Sequence, residues 1–274
     1  MPNKSKKSVP IIGENHTSTY LKFLNHFDKM TVSDSKRLHK MPLPQPLENI
    51  FRTYFANLNT TPPAPSVLYL LRRDAAQCFG FNPNTYDVTQ NPQPVPATYP
   101  PVLWPGAMTV FTGIDLLGKF LAGVDEGDAR PPGVNNAHPD NWKYSVGGRF
   151  NRFAALYLTG NDAAQAELLY QARCAIAHSF SLWARRRQDG QEYSFTLAQQ
   201  NGAMLLDTRA GALGEIEAII YLYELHSRFQ QGVITFSNDY YARLEANVAE
   251  HAVFQGLVDH YGFIGIAQAS AFGW

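Results

Sequence analysis

Between Asn82 and Gly106 the chain carries seven prolines in the run NPNTYDVTQNPQPVPATYPPVLWPG. Each proline fixes φ and removes a backbone donor, so the run favours extended, polyproline-like backbone and excludes a helix interior. It divides the 274 residues unequally. We expect a helical N-terminal extension and linker over 1–106, and a main helical domain over 107–274. Tyr86, Tyr99 and Trp104 within the run predict that it packs across a surface.

The remaining pattern is helical. Residues 1–13 read as a flexible arm. Apolar spacing predicts a helix over 14–30, with Tyr20, Leu21, Leu24 and Phe27 on one side, and a second over 47–58 after a proline-interrupted turn at 41–46. Ser66 can cap a third, ended by Gly80. Behind the proline run we expect helices over 107–121, 147–158, 162–187, 213–230 and 238–261. A long polar loop covers 123–145, and a loop of that length is usually functional or disordered. Residues 191–208 alternate weakly around Asn201-Gly202, which predicts one small β-hairpin. The expected fold class is mainly α: a helical bundle with a small β-hairpin and a helical N-terminal extension.

Composition narrows the function. Lys plus Arg and Asp plus Glu both number 23, so the total shows none of the basic footprint of a dedicated nucleic-acid binder, and no DNA partner is expected. Cys78 and Cys174 are the only cysteines, too few for a disulfide framework or a zinc site. The N-terminal MPNKSKKSVPIIGENH is basic without an apolar core, unlike a signal peptide. Ala218 to Leu225 is interrupted by Glu224, so no membrane span is expected. These features predict a cytoplasmic protein with no cofactor.

Several motifs have ordinary explanations. Gly113-Ile-Asp-Leu-Leu-Gly118-Lys119-Phe120 matches phosphate-loop spacing until its last position, where Phe120 replaces the Ser or Thr that would hold magnesium. Arg72 and Arg73, Arg149 and Arg152, and Arg185 to Arg187 are read as solvated clusters, with RNA contact as the alternative. Glu250, His251, Asp259 and His260 match no metal-ligand spacing.

The stretch YQARCAIAHSFSLW, residues 170–183, is less ordinary. With Leu169 at zero and about 100 degrees per residue, Ala172, Ile176, Phe180 and Trp183 fall within about 60 degrees and form an apolar stripe. Arg173 lies about 40 degrees from that line, inside the stripe, and His178 about 180 degrees away. An arginine in an apolar stripe must find an acceptor. Asp115 and Glu217 are the candidates.

Arg173 and His178, separated by four residues late in a long helix, resemble the motif of the HEPN superfamily (higher eukaryotes and prokaryotes nucleotide-binding). The segments Gly113 to Phe120 and Gly148-Arg-Phe, and the hairpin-like stretch after the motif, are also similar to uncharacterised bacterial members. The resemblance spans roughly 105–230. It implies a helical bundle that forms a homodimer, bringing two motifs into one cleft. In active members that cleft is a metal-independent endoribonuclease, often a toxin or defence effector. On this resemblance His178 from two chains would move the protons of the 2′-hydroxyl and 5′-oxygen, and Arg173 would hold the charge on phosphorus. Ala172, Ala175 and Ala177 would let two helices approach. Two positions depart from the pattern. Cys174 stands where active members commonly carry a polar residue, and Phe180 where members regulated by adenylylation carry Tyr. The alternative is therefore a catalytically inactive dimerisation or partner- and nucleotide-binding module. A third reading, a small-molecule enzyme with 123–145 as a lid, rests on loop length.

Overall fold

A computed structural model describes residues 42–86, 101–121, 138, 145–179, 181–199 and 204–263. The expected arm, the helix over 14–30, Tyr99, most of the loop over 123–145 and the Asn201-Gly202 turn lie outside these residues. Within them are seven α-helices and one four-stranded sheet. None of the helices is long and apolar enough to cross a membrane.

The helix α1 runs Gln45–Tyr54, with proline in its first turn and Leu47, Phe51 and Tyr54 buried at helical spacing. The helix α2 runs Val67–Cys78. The Ser66 hydroxyl accepts from Tyr69 N–H at 3.0 Å and donates to the Tyr54 carbonyl at 2.8 Å. One serine thus caps α2 and ties down the end of α1. Gly80, at φ +80, turns the chain out of α2 in a conformation natural to glycine.

The helix α3, Leu103–Phe120, starts inside the proline run, four residues earlier than expected. Pro105 occupies its first turn, where a missing N–H costs nothing. Val110, Phe111, Ile114 and Leu117 bury the α3 core face. Its glycines set contact distances. A methyl on Gly113 would overlap the Phe229 ring, and one on Gly118 would lie 2.9 Å from the Arg149 carbonyl oxygen. The phosphate-loop spacing is therefore a helix-packing pattern.

The helices α4, Val146–Tyr157, and α5, Ala163–Ser179, pack beside α3. Ser145 caps α4 by accepting from Gly148 N–H at 3.1 Å. Asp162 caps α5 through the N–H groups of Ala164 and Gln165, each at 3.0 Å.

The helix expected over 162–187 stops at Ser179. Trp183–Arg185 form β1, paired antiparallel with β2, Glu192–Ala198. Local helix propensity over Ala184 to Arg187 yields to strand pairing across a turn where Gly190 takes φ +75. β3, Leu206–Ala210, and β4, Ile216–Tyr221, form a second antiparallel pair. β4 inserts between β2 and β3, parallel to β2, giving the order β1-β2-β4-β3. The hairpin expected over 191–208 is thus two hairpins, and its two strands are not neighbours. Part of the helix expected over 213–230 is β4. Its β-branched Ile216, Ile219 and Ile220 favour strand, and Ala218 and Ile220 alternate into the core.

The helix α6, Leu222–Ala246, passes through Asn238, where a new helix was expected, and α7 is Ala249–Tyr261. Tyr54 meets Phe120 at 5.0 Å and Phe51 meets Phe254 at 5.7 Å between ring centroids. Residues of α1 and α2 thus share one core with α3, α6 and α7, and the boundary expected at 106 runs through that core.

Buried polar groups are joined in relays. Arg72 donates to Gln230 Oε1 at 2.8 Å and to the Ala56 carbonyl at 3.0 Å. Gln230 Nε2 lies 3.2 Å from His226 Nε2, and Tyr86 Oη 3.5 Å from His226 Nδ1. Burial pushes Arg72 down to about 10 and His226 down to about 3. Arg149 and Arg152 are also buried. Three of the arginines expected to be solvated therefore lie inside, their long stems covered by packed helices.

Candidate functional site

One face of α5 is largely polar and joins the core through the buried Ala175. Glu167, Tyr170, Gln171, Cys174, Ala175 and His178 recur at three- and four-residue steps and line a cleft of about 890 Å³. The start of α4 forms one wall, with Gly147, Gly148 and Asn151. β1 and the following turn form the other, with Trp183 and Arg185 to Arg187. A Cβ on Gly147 would come within 2.6 Å of Tyr170 Cζ, so the glycine lets the ring lie against the helix start.

His178 is exposed in this cleft, near the last turn of α5. Arg173 is half-buried on the flank of α5. Its Nε and Nη2 both donate to Asp115 Oδ2, at 2.9 and 2.7 Å. Asp115 on α3 is thus the acceptor the stripe position required, while Glu217 pairs with Arg209 at 2.8 Å. Burial alone would lower the Arg173 guanidinium, but Asp115 outweighs it and raises it. Arg173 Nη1 stands 3.1 Å from His178 Nε2. Arginine only donates, so Nε2 accepts and the ring proton is on Nδ1. The two motif residues, on different sides of the helix, meet because the long arginine side chain spans the difference.

Of the three alanines expected between two chains, Ala177 is half-buried, whereas the other two are placed otherwise. Ala172 and Ala175 are 0% and 2% exposed within this chain's own core. A second helix cannot pack on them without displacing α5 from its bundle.

Arg186 pairs with Asp189, whereas Arg185 and Arg187 are exposed on the rim. Burial, with a hydrogen bond to Cys174, pushes the Tyr170 hydroxyl up to about 12, so it stays protonated near neutrality. On the cleft floor Glu167 accepts from Asn151 Nδ2 at 2.5 Å and from Gln171 Nε2 at 2.7 Å. Asn151 Oδ1 is buried without a hydrogen-bond partner among the described residues. The motif pointed to Arg173 and His178 alone. The rest of the face was visible as a polar stripe at helical spacing, but no sequence signal shows which neighbours turn a stripe into a cleft.

The acidic and histidine residues near the C-terminus are otherwise engaged. Glu250 is buried between His138 at 2.8 Å and Arg243 at 2.7 Å. His251 Nε2 donates to the Leu244 carbonyl at 2.9 Å, and Asp259 accepts from Gln255 at 2.7 Å. Among the described residues no group of three or more His, Cys, Asp or Glu could hold a metal ion.

Compared with protein-family models, curated proteins and solved structures, the chain matches none of them.

Proposed function

We propose that the cleft binds and cleaves RNA without a metal ion, as the Arg173–His178 resemblance to the HEPN superfamily implies. The observation that carries this reading is an exposed imidazole, His178, held by Arg173 in a cleft rimmed by exposed Arg185 and Arg187. Both arginines would hold the phosphate backbone. Arg173 spends three of its five N–H groups on Asp115 and His178, so beside any contact to phosphate it would orient the imidazole.

Cleavage through the 2′-hydroxyl needs one group to take a proton and one to give a proton to the 5′-oxygen. One chain supplies one His178. The second carrier would be His178 of another copy in a homodimer, meeting over the cleft mouth rather than through Ala172 and Ala175.

The test is incubation of purified protein with mixed RNA in EDTA, wild type beside His178→Ala. Wild-type cleavage should resist EDTA, and the variant should lose about 10² to 10⁴ in rate. Because the side chain is exposed, its stability should change by no more than about 0.5 kcal/mol. No cleavage by the wild type, or equal cleavage by both, would overturn the mechanism. The second reading, a silent dimerising or nucleotide-binding module, draws on the bidentate Arg173–Asp115 contact, which occupies the arginine as a structural pair would.

A further inference from the structure

β3 is an outer strand of the sheet, with β4 on one side and no strand on the other among the described residues. The ladder fixes which of its backbone groups are spent. Tyr221 N–H donates to the Leu205 carbonyl at 3.1 Å and Gly211 N–H to the Glu215 carbonyl at 2.8 Å, at the two ends of a register that pairs Asp207 with Ile219 and Arg209 with Glu217. Bonded residues alternate along an antiparallel strand, so Leu205, Asp207, Arg209 and Gly211 face β4. Thr208 and Ala210, which lie between them, turn their N–H and C=O groups outward, and both residues are exposed. The Thr208 N–H is held only locally, by Asp207 Oδ1 at 2.9 Å. An edge of this kind is a template for a further strand.

Charged side chains commonly guard such an edge, but here their order selects a partner. Asp207 and Arg209 flank Thr208 with opposite signs. Arg209 spends two of its five N–H groups on Glu217, at 2.8 Å each. The exposed apolar residues follow the same arrangement. Met204, 54% exposed, lies just before β3, and Leu213, 83% exposed, lies just after it. The tip carrying Leu213 is held in place: its N–H donates to Glu215 Oε2 at 2.9 Å, and Gly214 takes φ +89.

We propose that the β3 edge pairs with β3 of a second copy of this chain, antiparallel and two-fold about Thr208. The two Thr208 residues exchange both N–H···O bonds. Each Asp207 releases the Thr208 N–H and faces Arg209 of the other copy, so both directly opposed charge pairs are of opposite sign. Each Met204 end lies beside the Leu213 tip of the other copy. Centring the contact on Asp207 or on Arg209 would set like charges opposite each other, which fixes the register. The contact is isologous, and it joins two four-stranded sheets into one. It stands apart from the RNA reading, because β1, which walls the cleft, is the opposite edge of the sheet.

The experiment measures the mass of the full chain by sedimentation velocity. A short edge contact belongs to the weak class, so concentrations run up to about 100 μM. The wild type should pass from monomer to dimer across that range, and the amides of Thr208 and Ala210 should exchange more slowly as it does. Thr208→Pro removes an outward N–H that β4 does not use and should weaken the dimer by about tenfold or more. Asp207→Arg and Arg209→Asp should each be monomeric alone, since each sets like charges across the axis. Mixed together they should form a dimer, because every opposed pair is again of opposite sign. These two variants carry the test should Thr208→Pro fail to fold. A monomeric wild type would overturn the proposal, and so would slow amide exchange at Thr208 in the monomer, which would assign the edge to another segment of this chain. A dimer that survives all three variants, as one formed over the cleft mouth would, also overturns it. Loss of the dimer in these variants with RNA cleavage unchanged upholds the edge contact and leaves the His178 mechanism to its own test.

Discussion

Arg173 decides whether the motif is chemistry or architecture, and its contacts allow a quantitative separation. It donates twice to Asp115 Oδ2, while Asp115 Oδ1 is buried with no partner among the described residues. Removing the guanidinium leaves a half-buried carboxylate without its hydrogen-bonded cation. Arg173→Ala should therefore destabilise by about 1.5 to 3 kcal/mol, the range for hydrogen bonds to charged groups. Arg173→Ala combined with Asp115→Ala should cost less than the sum, because the second change removes the stranded charge. Urea midpoints of the four proteins measure this, and additive losses would show the pair to be uncoupled. RNA cleavage should fall in Arg173→Ala even where folding is restored by the second substitution, because His178 loses its Nε2 partner.

At the scale of elements, α3 is the helix against which others close. Gly113 faces the fully buried Phe229 ring of α6. Alanine would gain helix propensity of about 1 kcal/mol. It would also force a ring out of a filled core, and overpacking of this kind costs about 1 to 3 kcal/mol. We expect Gly113→Ala to lower stability by up to about 2 kcal/mol net. Gly256 on α7 is the control, since a Cβ there meets nothing within 4 Å and alanine should stabilise by the propensity difference. Thermal unfolding of both variants checks the pair, and equal shifts would mean that α3 and α6 are not in the contact described. The glycines were legible as a motif but not as packing, because the ring opposite Gly113 lies over a hundred positions away.

For the molecule as a whole, the relay through Arg72, Gln230, His226 and Tyr86 ties α2, α6 and the segment after α2 together around a neutral imidazole. Burial holds His226 near 3 in the fold against 6.5 ordinarily. Between those values the unfolded chain binds more protons than the folded one, so stability falls as pH falls. The slope is at most about 1.4 kcal/mol per pH unit. Glu250 adds loss of the same sign at lower pH. Burial raises its carboxyl, but hydrogen bonds from His138 and Arg243 outweigh that and hold it below its usual 4.5. His226→Gln should flatten the dependence between about pH 6.5 and about pH 5, where Glu250 contributes little. Denaturant midpoints across that window are the measurement, and an unchanged slope would place the acid sensitivity elsewhere.

The sequence by itself determined what depends on neighbours along the chain. The Ser66 cap, the stop at Gly80, the helical class and the placement of His178 away from the apolar stripe all follow from propensity and a period near 3.6 residues. The tertiary structure decided what depends on partners far off. Trp183 to Arg185 read as the end of a helix and became a strand, because a strand's backbone groups are satisfied by another segment rather than by its own. Ile216 to Tyr221 is strand for the same reason, inserted between two segments that precede it. Arg72, Arg149 and Arg152 look like surface charge in any local window, and only packing of several helices buries them. Most of the candidate site belongs to this second kind. Arg173 and His178 are a pattern within one helix, but the cleft needs α4, α5 and β1 together, and on its floor Asn151 and Glu167 meet across two helices.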